Sequence, residues 1–577
     1  MIRRMFILCA ILAVGLVLRT IGLQFGLPAV YNPDEVAIMS RALAFAKGSL
    51  NPHNFLYPSL YFYVLFAWVG VYLAGVWATG GVPSLSALPE LYFTNPTGIF
   101  TAGRALGMAA GTVTIGLLHR LGTTIGGSRT AAAAAIFLAV APLHVRDSHY
   151  VKHDVPATLA IVAAYLAMTR IWPGRHSAIT TRQPSTTRDS LLAGAITGIA
   201  FSTHYYCIFL ALPLAWVILL RARQTGERDV VKQLASAAAA SAITFFALSP
   251  FLLVEPLTAV RDIVANRRIV VDRAVASGAF GPAARYAEML WRDAAGRPVI
   301  ACAIGGTLWM ALVDWRRAVL LLAFPIPFLL FIANTAPASR YLNPVLPFVA
   351  LFAGWMLARL AVRLHLRPFV FWVAVIAAAG PGALASVRTD LFFRQEDTRT
   401  LARRYIEAHI PDGTGILVQP YSVPLMMSRA ALEEALTFHL GSAEAASTRF
   451  QLQLGLKPYP SPAYRLVYLG SGGLDVDKRY VSTEEVSGPD GLDRLHQLGV
   501  AFVVFKRYNN ADPDSLPFLT ALARGGRLVA AFSPYRNGAT EAEQARVAPF
   551  LHNTDTRIDA ALERPGPPLE IWELSRR

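Results

Sequence analysis

Charge is scarce in this sequence. Only 16% of its 577 residues are Asp, Glu, Lys or Arg, while 54% are hydrophobic; a soluble globular chain carries about 25% charged residues. With a mean hydropathy of +0.43, such a chain cannot clothe itself in a water-facing surface, so lipid is the solvent for much of it. Acid is the scarcer sign, 37 residues against 53 Lys and Arg, for a net charge of +16. No basic stretch is interleaved with aromatics, which argues for no nucleic acid among the partners. The excess instead reads as the sorting of Lys and Arg into cytoplasmic loops. Cysteine is nearly missing. Cys9, Cys207 and Cys302 sit in apolar stretches and offer neither a disulfide framework nor zinc spacing. The opening MIRRMFILCAILAVGLVLRTIGLQFG has the basic front and apolar middle of a signal peptide but no small-x-small cleavage site. It reads as an uncleaved first helix with Arg3 and Arg4 inside. There is no internal repeat.

What is abundant is apolar sequence in runs long enough to cross about 30 Å of hydrocarbon. Eleven spans are expected, near residues 5–24, 98–118, 130–146, 154–172, 190–204, 205–221, 234–254, 298–313, 318–336, 343–362 and 368–387. A further run at 57–79 has no Lys or Arg in its flank at 80–97. Leaving it out as a crossing places HRLGTTIGGSR, RIWPGRHSAITTRQPSTTR, RARQTGERDVVK, DWRR and ARLAVRLHLR on the same side as Arg3 and Arg4. It therefore reads as embedded in the first outer loop without a net crossing; the alternative pairs it with a weakly hydrophobic partner near 84–97. The N-terminus is then cytoplasmic and the C-terminus outside. The Ser/Thr-rich stretch at 177–190 reads as a cytoplasmic linker. Near residue 389 long apolar runs stop, and short β-like runs (TGILV, RLVYLG, VAFVVFKRY, RLVAAF, LEIWEL) alternate with helical ones such as TRTLARRYIEAHIP. The expected architecture is mainly α, a polytopic membrane helical bundle over residues 1–388, followed by an extracytoplasmic soluble α/β domain over 389–577.

The expected outer loops hold the residues that can carry chemistry. In YNPDEVAIMSRALAFAKGSLNPHNFLYP, Asn32 can cap a helix, Pro33 suits its first turn and Gly48 can end it. Asp34 and Glu35 then complement the helix dipole, or one of them is a base at the membrane surface. The next outer loop, HVRDSHYVKHDVPAT, packs Asp147, His149, Lys152, His153 and Asp154 together. Asp154 can be a helix N-cap, or Asp154, His149 and His153 can hold a divalent metal if the stretch is helical. Lys152 can face a phosphate or lipid headgroups. GIAFSTHYYCIFLALP brings His204 to the outer surface, and PASRYLNPVLPF brings Arg340 and Tyr341, where an Arg can also simply snorkel. Asp34, Asp154, His204 and Arg340 are remote in sequence yet fall on one face of the membrane. A transporter would put its charges near the midplane instead. The Asp-x-Asp pairs Asp475/Asp477 and Asp512/Asp514 have the spacing of a nucleotide-sugar metal site, but are short enough to arise by chance.

NPDEVAIMSRALAFAKG, preceded by LRTIGLQFGLP, resembles the acidic first-loop motif of GT-C type lipid-carrier-dependent glycosyltransferases, the group of protein O-mannosyltransferases and lipid A aminoarabinose transferases. RALGMAAGTVTIGLLHRLG with APLHVRDSHYVKHDVPATL is similar to their next two spans and second acidic loop. GIAFSTHYYCIFLALP resembles a segment that usually carries Lys where this chain has His204. ASRYLNPVLPFVALFAG resembles their late Arg-Tyr…Pro…Pro stretch, and DTRTLARRYIEAHIPDG their passage into the outer domain. The likeness covers roughly residues 5–420 and rests on the order and membrane side of the motifs. Relatives often place a basic residue or His before the proline of NFLYP; here Tyr57 stands there, with His53 nearby.

The resemblance implies an inverting transfer of a sugar from a polyprenyl-phosphate donor to an acceptor glycan, lipid or protein, on the outer face of a bacterial inner membrane. Asp34 is the implied base, with Glu35 or Asp154 orienting the site or a metal. Lys152, His204, Arg340, Tyr341, His53 and Tyr57 are the implied substrate contacts, the cations among them facing the leaving phosphate. The run at 57–79 is expected to hold the lipid tail among membrane lipids. The rival readings are a non-enzymatic transporter or flippase of a lipid-linked substrate, and a membrane scaffold in which the loop acids are dispensable.

Overall fold

The computed structural model describes residues 2–172, 186–226, 228–275, 281–470, 472, 475–488, 491–508, 516–552 and 558–575. Most of the Ser/Thr-rich linker, and both Asp512 and Asp514, lie outside the described residues. The chain divides into two compact units. One comprises Met1–Leu23, Asp34–Val71 and Phe100–Leu391; the other comprises Gln24–Pro33, Tyr72–Ile99 and Phe392–Arg577.

Up to residue 248 the main helices are α1 (Ile2–Thr20), α2 (Pro33–Ala44), α3 (Leu60–Ala78), α4 (Leu88–Thr94), α5 (Thr97–Ala139), α6 (Pro142–Asp147), α7 (Asp154–Ile171), α8 (Thr186–Thr203), α9 (Ala211–Thr225) and α10 (Val230–Leu248). Among the described residues seven helical stretches are long and apolar enough to cross a membrane. An eighth candidate is the pair Gly281–Ala294 and Arg297–Val313, bent by 117°. The chain is a multi-pass membrane protein. The expected spans at 98–118 and 130–146 fall largely in α5, two helices run together across a break at Gly127, whose φ of 84° only glycine adopts readily. The run at 57–79 forms α3, which passes the same length and composition test, and only 22% of it is buried within the protein. With no charged residue on any face, α3 has nothing to keep it out of hydrocarbon.

Close backbone approach holds the neighbouring helices. On α8, Gly194 and Gly198 stand four apart. A Cβ on the first would strike the Ala237 carbonyl, and on the second the Ser241 carbonyl, both on α10. This is the small-xxx-small contact by which helices associate where lipid gives no hydrophobic drive.

In the second unit six strands form one sheet, in the order β3 (Tyr480–Val481), β2 (Arg465–Leu469), β1 (Gly415–Val418), β4 (Val500–Lys506), β6 (Leu569–Leu574), β5 (Gly526–Phe532). β3, β2, β1 and β4 are mutually parallel, while β6 runs antiparallel to both β4 and β5. β1 is apolar throughout because both its faces are covered. Ile416 and Val418 enter one hydrophobic core and Leu417 the other. The segment Gln24–Pro33 packs in this unit. The Arg399 guanidinium lies 3.9 Å from the Tyr31 ring centroid, the Tyr31 hydroxyl is 2.6 Å from Thr400 Oγ1, and Phe25 stacks on His552 at 4.5 Å.

Gly194→Val should therefore destabilise the α8–α10 pair by about 1–3 kcal/mol, the usual cost of overpacking. Thermal unfolding of detergent-solubilised protein reads this as a lowered Tm, whereas Gly70→Val on α3, with open space at its Cβ, should leave Tm close to wild type.

Candidate active site

Asp34 is the first acid of α2, and its carboxylate is partly exposed. Lys152 Nζ lies 3.1 Å from its Oδ2 and Arg340 Nη1 3.4 Å from the same oxygen. Three segments remote in sequence thus meet at one carboxylate. Burial alone would raise the Asp34 pKa, but Lys152 and Arg340 outweigh it and hold the group below the ordinary carboxylate range. Burial lowers the pKa of Lys152, and neighbouring Arg340 lowers it further, against the pull of Asp34 and Asp154. Asp154 completes the charged cluster: Arg340, Lys152 and Asp34 all act on it electrostatically. It is not the expected N-cap. It is the first residue of α7, His153 holds the cap position, and no side chain caps the turn. Asp154 Oδ1 is buried with no hydrogen-bond partner among the described residues.

Aromatic rings wall this cluster. Tyr57 stacks on His153 with centroids 4.2 Å apart and meets His204 edge-on at 5.2 Å. Tyr61 and Phe62 close around the same His153 ring. Arg340 sits over Tyr341, 5.1 Å from its centroid. His204 was expected to supply positive charge where relatives use Lys. Instead its Nδ1 accepts from the Tyr206 backbone N–H at 3.4 Å, and its ring stacks on Tyr206 at 3.7 Å. An accepting Nδ1 leaves the ring proton on Nε2, so His204 is a neutral donor here.

Other expected members stand elsewhere. His53 is exposed, at φ 48°, and its Nδ1 is 3.6 Å from Glu255. The proposed metal set is not gathered. Both ring nitrogens of His149 face backbone carbonyls, of Val145 and Ile21, at 2.9 Å. Among the described residues no three His, Cys, Asp or Glu side chains are grouped to hold a metal ion. Asp475 is engaged by Lys478 at 2.8 Å and Tyr480 at 3.2 Å.

Glu35 is turned away from Asp34. Arg104 donates from Nε and Nη2 to its two oxygens at 3.0 and 2.9 Å, and both side chains are 0% exposed. The Val151 N–H donates to Glu35 Oε1 at 3.0 Å, and Arg104 Nη1 to the Leu23 carbonyl at 2.9 Å. One ion pair therefore ties the end of the first span, α2, α5 and the loop before α7. That loop lies flat on α5 because residue 107 is glycine: a Cβ there would come within 3.0 Å of the Ser148 and Tyr150 carbonyls. A second tether holds Arg340. Arg146 pairs with Asp147 at 2.7 Å and donates to Ser339 Oγ at 2.8 Å, while Asn343 Nδ2 donates to Asp147. Neither Arg104 nor Arg146 was expected in the site. The signal for Arg104 was present, since a lone Arg inside an apolar run needs a partner.

Beside the cluster, α3, α5, α7 and α8 enclose an apolar groove of about 460 Å³ whose lining includes Tyr61, Val64, Ala110, Leu159 and Thr203.

Residues 99–253 match the family model described as dolichyl-phosphate-mannose-protein mannosyltransferase. No curated protein matches the sequence. The fold is similar to that of ArnT from Cupriavidus metallidurans. In its structure bound to undecaprenyl phosphate, identity is 15%, 90% of this chain and 96% of that chain are covered, and the TM-score is 0.54. The apo ArnT structure gives 15%, 90%, 95% and 0.52. A more distant likeness is to the apo oligosaccharyltransferase of Archaeoglobus fulgidus, at 13% identity, 92% and 73% coverage and a TM-score of 0.49. The chain has the GT-C type fold, in line with the resemblance carried by its loop motifs.

Glu35→Gln should cost about 3–5 kcal/mol, because Arg104 is left as an uncompensated buried charge. Removing both charges in Glu35→Gln/Arg104→Met should recover part of the loss. A double-mutant cycle on Tm in detergent measures this; additive single effects would show that the pair is not coupled.

Proposed function

We propose that this chain, built on the GT-C fold, is a membrane glycosyltransferase that moves a sugar from a polyprenyl-phosphate carrier to an acceptor on the outer face of the bacterial inner membrane. The observation that carries the reading is Asp34 held by Lys152 and Arg340, with Tyr61 joining the aromatic wall of that cluster to an apolar groove. A lipid-phosphate sugar offers the three matching parts: an isoprenoid tail for the groove, a phosphate for the cations and an anomeric carbon beside the carboxylate. ArnT, whose fold this chain shares, has been solved with undecaprenyl phosphate bound.

In the reaction as we read it, the acceptor attacks the anomeric carbon and gives its proton to Asp34. The bond from that carbon to the carrier phosphate breaks with inversion. The phosphate is already a good leaving group, so no general acid is needed; the charge it gains is met by Arg340 and Lys152, with the neutral His204 as a donor. Asp34 and the donor phosphate compete for the same two cations. When the phosphate takes them, Asp34 loses the charges that depress its pKa and becomes a stronger base at the moment a base is required. Tyr57 and Tyr341 border the sugar. Asp154, with a buried oxygen left unpartnered, accepts from a sugar hydroxyl. Glu35 is a positioning residue. The C-terminal α/β unit is extracytoplasmic and selects the acceptor.

Asp34→Asn keeps the shape of the side chain but cannot take a proton at neutral pH. It should still insert and express, with a lowered Tm because Lys152 and Arg340 lose a shared partner, yet lose at least about two orders of magnitude in transfer; near-normal transfer by the folded variant would remove the base from this scheme. Arg340→Ala should cut turnover more than Arg340→Lys, since Lys keeps the charge but not the guanidinium fork. Orientation is tested separately. A reporter fused after residue 390 should be active only outside the cytoplasm, and one within 177–188 only inside; the reverse would move every site residue to the cytoplasmic face.

A further inference from the structure

The second unit contains a topological switch point that the transfer chemistry leaves unused. From β1 the chain steps outward through β2 to β3, then returns to the opposite side of β1 as β4. In open parallel sheets the carboxyl ends of two strands related in this way flank a ligand crevice. Here those ends are Val418 and Lys506.

The residues at this switch point are built rather than incidental. Gln419 Oε1 accepts the Lys506 backbone N–H at 2.6 Å, and Lys506 Nζ donates to the Pro420 carbonyl at 3.0 Å. Ser422 folds the loop back, donating from both N and Oγ to the Gln419 carbonyl. At the apex stands Tyr421, 72% exposed and at φ 61°. Left-handed backbone disfavours a bulky side chain, and glycine or asparagine would hold this turn at lower cost. Such a position keeps an aromatic ring in solvent only against the local folding preference, the pattern seen where a side chain is used. Two cations stand at the carboxyl end of β4, while Asp475 and Asp477 lie toward Tyr480. Lys506 has no carboxylate partner among the described residues, burial and the nearby Arg399 lower its pKa, and Arg507, half-exposed, meets Glu570 only at 3.8 Å. Toward β3, Asp475 is already neutralised by Lys478.

The geometry points to a binding site for an anionic saccharide at the carboxyl ends of β1 and β4, with Tyr421 stacking on the sugar ring and Lys506 and Arg507 pairing with its phosphate or carboxylate. A pyranose presents an apolar C–H face that an aromatic ring covers while its hydroxyls stay wet, and Lys and Arg supply charge-assisted bonds to the anion. Resting on the transfer reading above, this makes the acceptor a glycan or glycolipid that carries phosphate or carboxylate groups.

Saturation-transfer difference NMR on the full-length protein in detergent tests the site, with glucose 1-phosphate and glucuronate as probes and glucose as the neutral control. Wild type should saturate both anionic sugars, with glucose about tenfold weaker. Tyr421→Gly relieves the left-handed backbone, so it should raise Tm while weakening the signal about tenfold. Lys506→Met should reduce the anionic sugars to the level of glucose. Saturation of neither anionic sugar, or equal signals from wild type and Tyr421→Gly, would overturn the site. The two readings fail separately. If Asp34→Asn transfers normally while Tyr421→Gly still loses the probes, the transfer scheme falls and the crevice stands. If Asp34→Asn stops transfer while Tyr421→Gly changes neither probe binding nor acceptor KM, the crevice alone falls.

Discussion

The arrangement around Asp34 depends on one buried ion pair. Glu35 and Arg104 are fully removed from solvent, and the pair is bonded into the structure: two bonds to each other, one from the Val151 N–H and one to the Leu23 carbonyl. Burying two charges is costly, and such a pair adds little net stability over well-packed apolar residues. What it provides here is register. α2 cannot rotate without breaking the fork, and the loop carrying Lys152 cannot slide along α5 without losing its bond to Glu35. Asp34, one residue away on α2, therefore faces Lys152 in a fixed geometry.

That geometry accounts for the charge arrangement in the site. Two cations and two carboxylates in a poorly solvated place would be unfavourable singly. Together they neutralise one another, with Asp34 bridging Lys152 and Arg340. In the proposed reaction the donor phosphate replaces Asp34 as the partner of those cations. One set of charges then serves both as a stable resting network and as the phosphate site. Little reorganisation is needed, which is the main requirement of electrostatic catalysis. The aromatic wall of Tyr57, Tyr61 and Phe62 around His153 keeps the dielectric low at the same place.

Much of this was legible in the sequence where the signal is local. All five β-like runs beyond residue 389 are strands, because alternating or continuous apolar residues bounded by turn residues have few other uses. The two-residue strand Tyr480–Val481 is too short to carry a pattern. Of Asp34, Asp154, His204 and Arg340, which were expected to share one face of the membrane, the three charged residues come together, joined by Lys152. What was not legible depended on partners far along the chain. Glu35 sits beside Asp34 in sequence, yet a helix turns consecutive residues by about 100°, so neighbours point in different directions, and its partner is 69 positions away. His204 occupies a position where relatives carry Lys, but its protonation is set by a backbone N–H that only the turn at Tyr205–Leu210 supplies. Asp154 precedes Val-Pro as an N-cap would, yet the helix begins at Asp154 itself. The glycines at 107, 194 and 198 announce close contact without naming the surface that comes close.

The central claim is that the charges gathered at Asp34 act on a lipid-linked phosphosugar. Its most direct test follows the carrier. The purified protein is reconstituted in liposomes with a panel of polyprenyl-phosphate sugars and a bacterial envelope extract as acceptor, and the lipids are analysed by mass spectrometry. The account predicts that free polyprenyl phosphate accumulates only with protein present, in step with a new glycosylated product of inverted anomeric configuration. A donor that crosses the bilayer with its sugar still attached, with no carrier phosphate released from any member of the panel, would contradict it and favour a transporter.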